Sequence, residues 1–344
     1  MRAPVVVSLL LVSLAFPLVF ADPYYQRIGV MTLIFGLLAT SLGILVGRLR
    51  IISAGHSAFF GIGAYTSALL SVKAGVPFLA ALASAALLTG LIGLAVSVPL
   101  LKLKGHFFAM GTMAFGIIIQ MLLLNWESLT NGPNGVPGIP LPALPGYVLA
   151  TDRSIYYFAL ALLILTLWLL QRLYRSPIGR ALVAIREDEI VAATLGIRVL
   201  RYKMLAFTLS TALAGVAGSL FAHYMAFINF NSFSPAESFM LLAMVITGGM
   251  NHLLGPLLGA ALFTVLPEWL RELQDYRFLL YGVILTCVLL LRPEGLLGEG
   301  GRLRPRKASR PAEKIGSRLG WKLRWKRRKT PDARTTAAGS QGAE

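Results

Sequence analysis

One cysteine, Cys287, is all that the 344 residues contain. A disulfide within the chain is therefore impossible, and no cysteine-based metal site can be built. Histidine is almost as scarce. His56, His106, His223 and His252 are scattered without ligand spacing, which argues against a metal centre. Acidic residues number 15 against 32 Lys and Arg. No Asp or Glu occurs between Arg27 and Trp126, and none between Ile190 and Ala236. Proton-driven carriers place Asp, Glu or His inside their spans, and membrane-embedded enzymes need nucleophiles, paired acids or metal ligands at depth. This chain is poor in both sets, so it reads as no enzyme and no cofactor is expected. Glu127, Asp152, Glu237 and Glu268 read as end or loop positions, and His223 as an interfacial or hydrogen-bonded helix residue. A GxxxxGK[ST] phosphate loop is missing too. If this chain moves a solute uphill, the energy enters through another polypeptide.

What is present is apolar sequence. Hydrophobic residues make up 56% of the chain and charged ones 14%, with a mean hydropathy of +0.71. Clear runs are Pro4–Ala21, Ile28–Gly47, Ser57–Lys73, Pro77–Leu101, Phe107–Leu124, Ile155–Leu170, Met204–Phe227 and Phe278–Leu291. Most are long enough, at ~1.5 Å per residue, to cross ~30 Å of hydrocarbon. Between the last two lies Phe239–Leu270, interrupted by Gly248-Gly249 and Gly255-Pro256, which reads as two short helices or a hairpin that does not fully cross. The pattern predicts an all-α polytopic membrane protein with about ten transmembrane or re-entrant helices. Val19-Phe20-Ala21 has the look of a cleavage site, but the run before it is long for a signal peptide, so Met1 is expected to begin a retained helix.

Charge sets the orientation. Arg48 and Arg50, Lys102 and Lys104, and seven basic residues from Arg172 to Lys203 mark loops that stay on the cytoplasmic side. Ten crossings satisfy all of them, leaving Asp22–Arg27, Asn125–Arg153 and Arg271–Arg277 outside and the C-terminus in the cytoplasm. A re-entrant Phe239–Leu270 keeps the same parity. Residues 1–298 are thus expected to form the transmembrane domain, and 299–344 a basic cytoplasmic tail. From Arg302 to Lys329 that tail carries thirteen Lys and Arg against the single acid Glu313, with Trp321 and Trp325 interleaved. A solvated, disordered end or contact with anionic lipid headgroups fits this composition, and no folded nucleic-acid reader is visible in it.

Three further features bear on function. Small residues cluster at Thr40, Ser41, Gly43 and Gly47, at Gly55 to Ala64, and at Ala214 to Ser219, where they allow close helix approach. The glycine and proline interruptions at Gly248, Gly249, Gly255 and Pro256 free backbone groups that must face protein or water, which makes such breaks the better pointers to a path. The segment Asn131-Gly132-Pro133-Asn134-Gly135, continuing to Pro140, is dense in turn formers and reads as either an ordinary connector or a structured loop facing a partner. Between Ser176-Pro177 and Gly196, Ala181, Ile185 and Ala192 recur at roughly helical spacing around the charged Arg186 to Glu189. Pro177 suits a helix start and Gly196 a stop, so a short amphipathic helix along the membrane is expected, docking a soluble partner or lying on lipid.

Taken together, the motif Ser53-Ala54-Gly55-His56-Ser57-Ala58-Phe59-Phe60-Gly61-Ile62-Gly63-Ala64-Tyr65, the Asn131–Pro140 and Gly179–Gly196 loops and the Gly248–Gly259 segment resemble the LivM-type permease subunits of branched-chain amino-acid ABC importers. The resemblance runs from about residue 28 to Gly298. It implies a pore-forming subunit of the inner membrane that works with a homologous LivH-like permease, two cytoplasmic ATPase subunits and a periplasmic substrate-binding protein. It also implies that the cytoplasmic loop seats in a cleft of the ATPase, through Gly179, Arg180, Ala181, Arg186, Glu187, Ala192, Ala193 and Gly196. Ser53, Gly55, His56, Phe59, Gly61, Gly63, Tyr65, Gly248, Gly249, Gly255 and Pro256 then belong to the translocation path or to helix packing. The long basic extension after Gly298 departs from the family pattern. Similar permeases for urea, short amides or aromatic acids, an ATP-independent facilitator, and a scaffold that recruits partners through its tail are the competing readings.

Overall fold

The computed structural model describes residues 13–103, 105–269, 277–292 and 295–297. The expected tail 299–344, Lys104 and the first residues of the first apolar run lie outside them. Residues 13–19 are helical and lead into α1, Pro23–Leu49. α1 starts where its sequence says it should: Asp22 caps it by accepting a hydrogen bond from the Tyr24 amide at 2.9 Å, and Pro23 follows in the first turn. α2 spans His56–Ala74, α3 Phe78–Leu100 and α4 His106–Asn125. After a loop comes α5, Asp152–Arg175, opened by a Thr151–Ser154 capping box. Two short helices, α6 (Pro177–Glu187) and α7 (Glu189–Thr194), precede α8, Val199–Met225. α9 is Pro235–Gly248, α10 Gly255–Trp269 and α11 Arg277–Leu291.

α1, α3, α4, α5 and α8 are each long and apolar enough to cross a membrane. The expected broken stretch forms the pair α9 and α10, of 14 and 15 residues, each reaching only ~20 Å along its axis. α1 and α8 sit at the centre, with α8 packed on α1, α2 and α3 and α1 also on α5 and α10. The core between them is aliphatic and aromatic, with Leu38, Leu42, Leu45, Phe59, Phe207 and Leu163 fully enclosed. α4 is held mainly by α2 and leaves Phe107, Met110, Ile118 and Met121 exposed, as a surface solvated by hydrocarbon would.

Extended structure among the described residues is limited to two-residue pairings. Val136–Pro137 runs antiparallel to Phe227–Ile228, and Ala143–Leu144 pairs with Tyr147–Val148. Both lie in the connectors after α4 and α8, at the end of the bundle opposite Arg48 and Arg50.

Candidate functional site

α2 does not begin level with the end of α1. Its first residue, His56, places Nε2 2.8 Å from Ser41 Oγ, and Ser41 lies eight residues, about 12 Å, before the last residue of α1. The non-helical backbone from Ile51 to Gly55 therefore enters the bundle, where water is not available to satisfy it. Hydroxyls from distant helices do so instead. The Ala54 amide donates to Thr112 Oγ1 of α4 at 3.0 Å, and the Ser57 amide donates to Ser238 Oγ of α9 at 3.0 Å. The two serine hydroxyls, Ser57 and Ser238, bond each other at 2.7 Å. Ser41 spends its hydroxyl proton on the Leu38 carbonyl at 2.6 Å, so His56 donates through Nε2. Its Nδ1 and Ser53 Oγ are buried without a partner.

The glycines of this motif make close approach possible. A Cβ on Gly55 would stand 1.8 Å from the Thr112 carbonyl oxygen, and one on Gly61 2.9 Å from the Phe233 ring. Phe59 stacks on Phe115 at 5.1 Å and meets Phe207 edge-on, while Tyr65 meets Phe233 edge-on. Ser53, His56, Phe59 and Tyr65 are all enclosed within this chain. The motif thus forms a joint where α1, α2, α4, α8 and α9 meet.

α9, the first helix of the broken pair, reaches that joint through Ser238 in its first turn, about 15 Å before the break at its other end. A Cβ on Gly248 would meet the Gly255 carbonyl at 1.9 Å, and one on Gly255 the Gly249 carbonyl at 2.0 Å. Gly249 has φ 115°, in a region that excludes side chains, and closes α9. Pro256 sits in the first turn of α10, where its missing amide costs nothing. The carbonyls freed at the end of α9 are taken by the segment after α11: Leu296 donates to the Thr247 carbonyl at 2.8 Å and Leu297 to that of Gly248 at 3.1 Å. Pro256 and the Met250 carbonyl press on α1, where a Cβ would meet them at 2.9 Å on Gly43 and at 2.2 Å on Gly47.

At the opposite end, Asn131 to Gly135 form a fixed turn. Asn131 adopts φ 64° and donates through Nδ2 to the Gly135 carbonyl at 2.8 Å. Gly132 and Gly135 are also left-handed, and Pro133 and Asn134 lie in a single 3-10 turn. The chain then pairs with Phe227–Ile228, and the Pro140 carbonyl accepts from His223 Nδ1 at 2.8 Å. That leaves Nε2 of His223 as acceptor for Ser67 Oγ, which in turn accepts from Ser219. The loop is therefore docked on α2 and α8.

The segment from Pro177 to Gly196 forms two helices, where the sequence reading expects one. Asp188 adopts an extended backbone (φ −158°) and accepts from the Ile190 and Val191 amides at 2.8 and 3.0 Å, so it ends α6 and caps α7. Ser176 caps α6, and Gly179 lets it fold tightly onto α5, since a Cβ would stand 2.3 Å from the Tyr174 carbonyl. Ala181, Leu182, Ile185 and Ala192 are buried. Arg180, Glu187, Ala193 and Gly196 are exposed, and Gly196 takes φ 82° with open space around it. Glu189 pairs with Lys203. Ile190 and Leu195, 77% and 74% exposed, form an apolar surface with Val191. Arg186 turns inward, donating through Nη1 to the Gly47 carbonyl at 2.9 Å. Burial, with Arg50 and Arg48 nearby, pushes its guanidinium below the usual arginine range.

The structure thus joins the Ser53–Tyr65 motif to the broken pair and the Pro177–Gly196 segment to the end of α1, with Asn131–Gly135 at the far end. Sequence reasoning missed Thr112, Ser238 and Met250, whose roles depend on pairing across the bundle. A cavity of about 480 Å³ opens between α1, α5 and α10, lined by residues such as Phe16, Leu33, Leu163, Trp168 and Leu257. Its lining suits hydrocarbon. Among the described residues no group of three or more His, Cys, Asp or Glu side chains is placed to hold a metal ion.

Residues 24–291 match a family model described as a branched-chain amino acid transport system permease component. The chain is 36% identical to the high-affinity branched-chain amino acid transport system permease protein LivM of Escherichia coli K12 over 314 residues, covering 85% of this chain and 74% of the relative. The Salmonella typhimurium LivM is 36% identical over 313 residues, 84% and 73% of the two chains. A probable LivH permease of Methanocaldococcus jannaschii is 31% identical over 154 residues, 41% of this chain and 46% of the relative. No solved structure matches the chain.

Proposed function

The chain belongs to the family of branched-chain amino acid transport permease components, and we propose that it lines, beside a second homologous permease, the path of a branched-chain amino acid into the cell. It is a multi-pass membrane protein of a family of transport components rather than enzymes. ATP is hydrolysed by two separate ATPase subunits, and a periplasmic binding protein delivers the solute. The LivH relative, similar over two fifths of this chain, is the model for the homologous partner.

The observation that carries this reading is the α6–α7 segment. It packs on α5, α1 and α8, burying Leu182 and Ile185 and bonding Arg186 to the end of α1, and turns Ile190, Val191 and Leu195 outward, beside the exposed elbow at Gly196. An apolar, capped, rigidly seated surface of this kind fits a groove on a soluble partner. Arg48, Arg50, Arg172, Arg175 and Arg180 surround it, which favours the cytoplasmic side, where the ATPases are. The tail from residue 299 follows on that same side, as a basic extension drawn to anionic headgroups. The Asn131–Gly135 turn faces the other compartment and the binding protein. A path lined by small and apolar groups suits a zwitterion with an aliphatic side chain.

The test is uptake of radiolabelled leucine into proteoliposomes. The assembly with both permeases, ATPases and binding protein accumulates leucine only with ATP inside the ATPase compartment. The chain alone accumulates none, and uphill uptake by it alone overturns the proposal.

A further inference from the structure

Two neighbouring residues at the end of α1 hold the end of α5, where it turns into α6, and the end of α6 itself. Arg48 lays its guanidinium over the Tyr174 ring, 4.0 Å from the centroid, just before α6 begins at Pro177. Gly47 accepts, through its carbonyl, the Arg186 Nη1 hydrogen bond at 2.9 Å, one residue before α6 ends. The C-terminal carbonyls of a helix carry its negative dipole end, so a guanidinium there is doubly held. Arg50 closes α1 in a left-handed conformation, and the Arg50 and Ile51 amides both take the Leu45 carbonyl, leaving the Gly47 carbonyl to Arg186.

Gly47 is also the point where α1 touches the break. A Cβ there would lie 2.2 Å from the Met250 carbonyl, so the α1 backbone rests directly on the α9–α10 connection. One turn back Gly43 rests on Pro256, and two further turns back Gly36 rests on Leu257. α1 is thus keyed along one line, at intervals of seven and four residues, into α10. No flexible side chain intervenes between the Gly47 carbonyl and the peptide at Met250.

We propose that Arg186 is a positioning residue that carries movement of the ATPase-docking segment through Gly47 into the Met250–Pro256 hinge, so that α6, α1 and α10 shift as one lever. This rests on the transport function proposed above. The bond has the right qualities for the task. It is charge-assisted, half-buried and directed at backbone, so a displacement of α6 cannot be absorbed by rotation of a surface side chain. The hinge it reaches is the place where α9 and α10 have no continuous helical ladder to resist bending.

The experiment measures ATP hydrolysed per leucine taken up in proteoliposomes of the whole importer, normalised to the co-purified ATPase. Wild type must first show ATP-dependent uptake; its absence refutes the transport function itself and not the lever. Arg186→Ala is expected to raise the ATP-to-leucine ratio by about fivefold or more, in the range that residues on a coupling route command. Arg186→Lys keeps the charge but loses the planar fork, and is expected to raise it about twofold. A merely structural cap would lower assembled complex, uptake and hydrolysis in proportion and leave the ratio unchanged. An unchanged ratio in both variants overturns the proposal. If the alanine variant does not assemble, the lysine variant decides alone.

Discussion

Gly63 and Gly215 lie backbone to backbone: a Cβ added to Gly63 would stand 2.3 Å from the Gly215 Cα. α2 and α8 touch here with no side chain between them, and Gly218 repeats the contact against the Phe60 carbonyl at 2.1 Å. Small residues at such crossings bring helices close enough for dispersion to hold them where the hydrophobic effect is absent. Gly63→Val must therefore push α2 and α8 apart. The expected cost is about 1–3 kcal/mol or more, read as a lower melting temperature in detergent and a reduced yield of folded protein. Gly75→Ala, at an open position at the end of α2, should cost only the strain of a left-handed residue, roughly 1 kcal/mol.

The buried serine pair makes a second prediction. Ser238→Ala leaves both the Ser57 amide and its hydroxyl without their partner inside the bundle. Each unsatisfied group costs about 1–3 kcal/mol, so the single change should be clearly destabilising. Ser57→Ala removes only the hydroxyl, because the amide still reaches Ser238. In a double-mutant cycle the two losses should fall short of additivity, since both remove the same bond. Denaturation of the four proteins in one detergent measures the coupling.

At the far end, the histidine latch fixes the loop. His223 Nδ1 donates to Pro140, and Nε2 accepts from Ser67, so both ring nitrogens are used by the neutral form. His223→Phe keeps the ring, and with it the edge contact to Phe78 at 4.8 Å, but loses both bonds. The Pro140 carbonyl then loses its donor, and the Ser67 hydroxyl loses the acceptor for its proton while still accepting from Ser219. The loop around Asn131–Pro140 should open more often, by about tenfold or more, a factor of ten corresponding to ~1.4 kcal/mol. Hydrogen exchange at the Ile139 amide, bonded to the Ala226 carbonyl, reads this directly.

How much of this was legible beforehand follows from what each feature depends on. The long helices are written in continuous apolar runs because hydrocarbon tolerates nothing else, and the α9–α10 break is written in Gly248-Gly249. The depth at which α2 begins is not, because the Ala54 amide before it and the Ser57 amide in its first turn are satisfied by Thr112 and Ser238, 58 and 181 residues away. Arg186-Glu187-Asp188-Glu189 reads as the charged part of one short amphipathic helix. In the fold Asp188 instead caps α7, and Arg186 finds a carbonyl 139 residues away. The glycines of the Ser53–Tyr65 motif stand out in the sequence, but their contacts, Gly55 with Thr112 and Gly61 with Phe233, are set by how distant helices pack.

The outward face of α7 yields the last prediction. Ile190 and Leu195 are 77% and 74% exposed and have no packing role within the chain, whereas their neighbour Ala192 is buried against it. Changing both to Asp should leave insertion and the melting temperature nearly as they were, since surface changes away from packed contacts usually cost under about 0.5 kcal/mol. Burying a large aliphatic side chain contributes roughly 1.5–3 kcal/mol, and a buried unpaired carboxylate opposes docking further. Loss of both anchors should therefore weaken ATPase association by about 100-fold or more in pull-down or light-scattering titrations. Gly196→Val acts on the same surface by a different route, straining the φ 82° elbow by about 1–2 kcal/mol and tilting α7 without altering its chemistry. Its effect should be smaller than that of the aspartates. The reverse order would mean that the elbow, rather than the apolar face, sets the affinity for the ATPase.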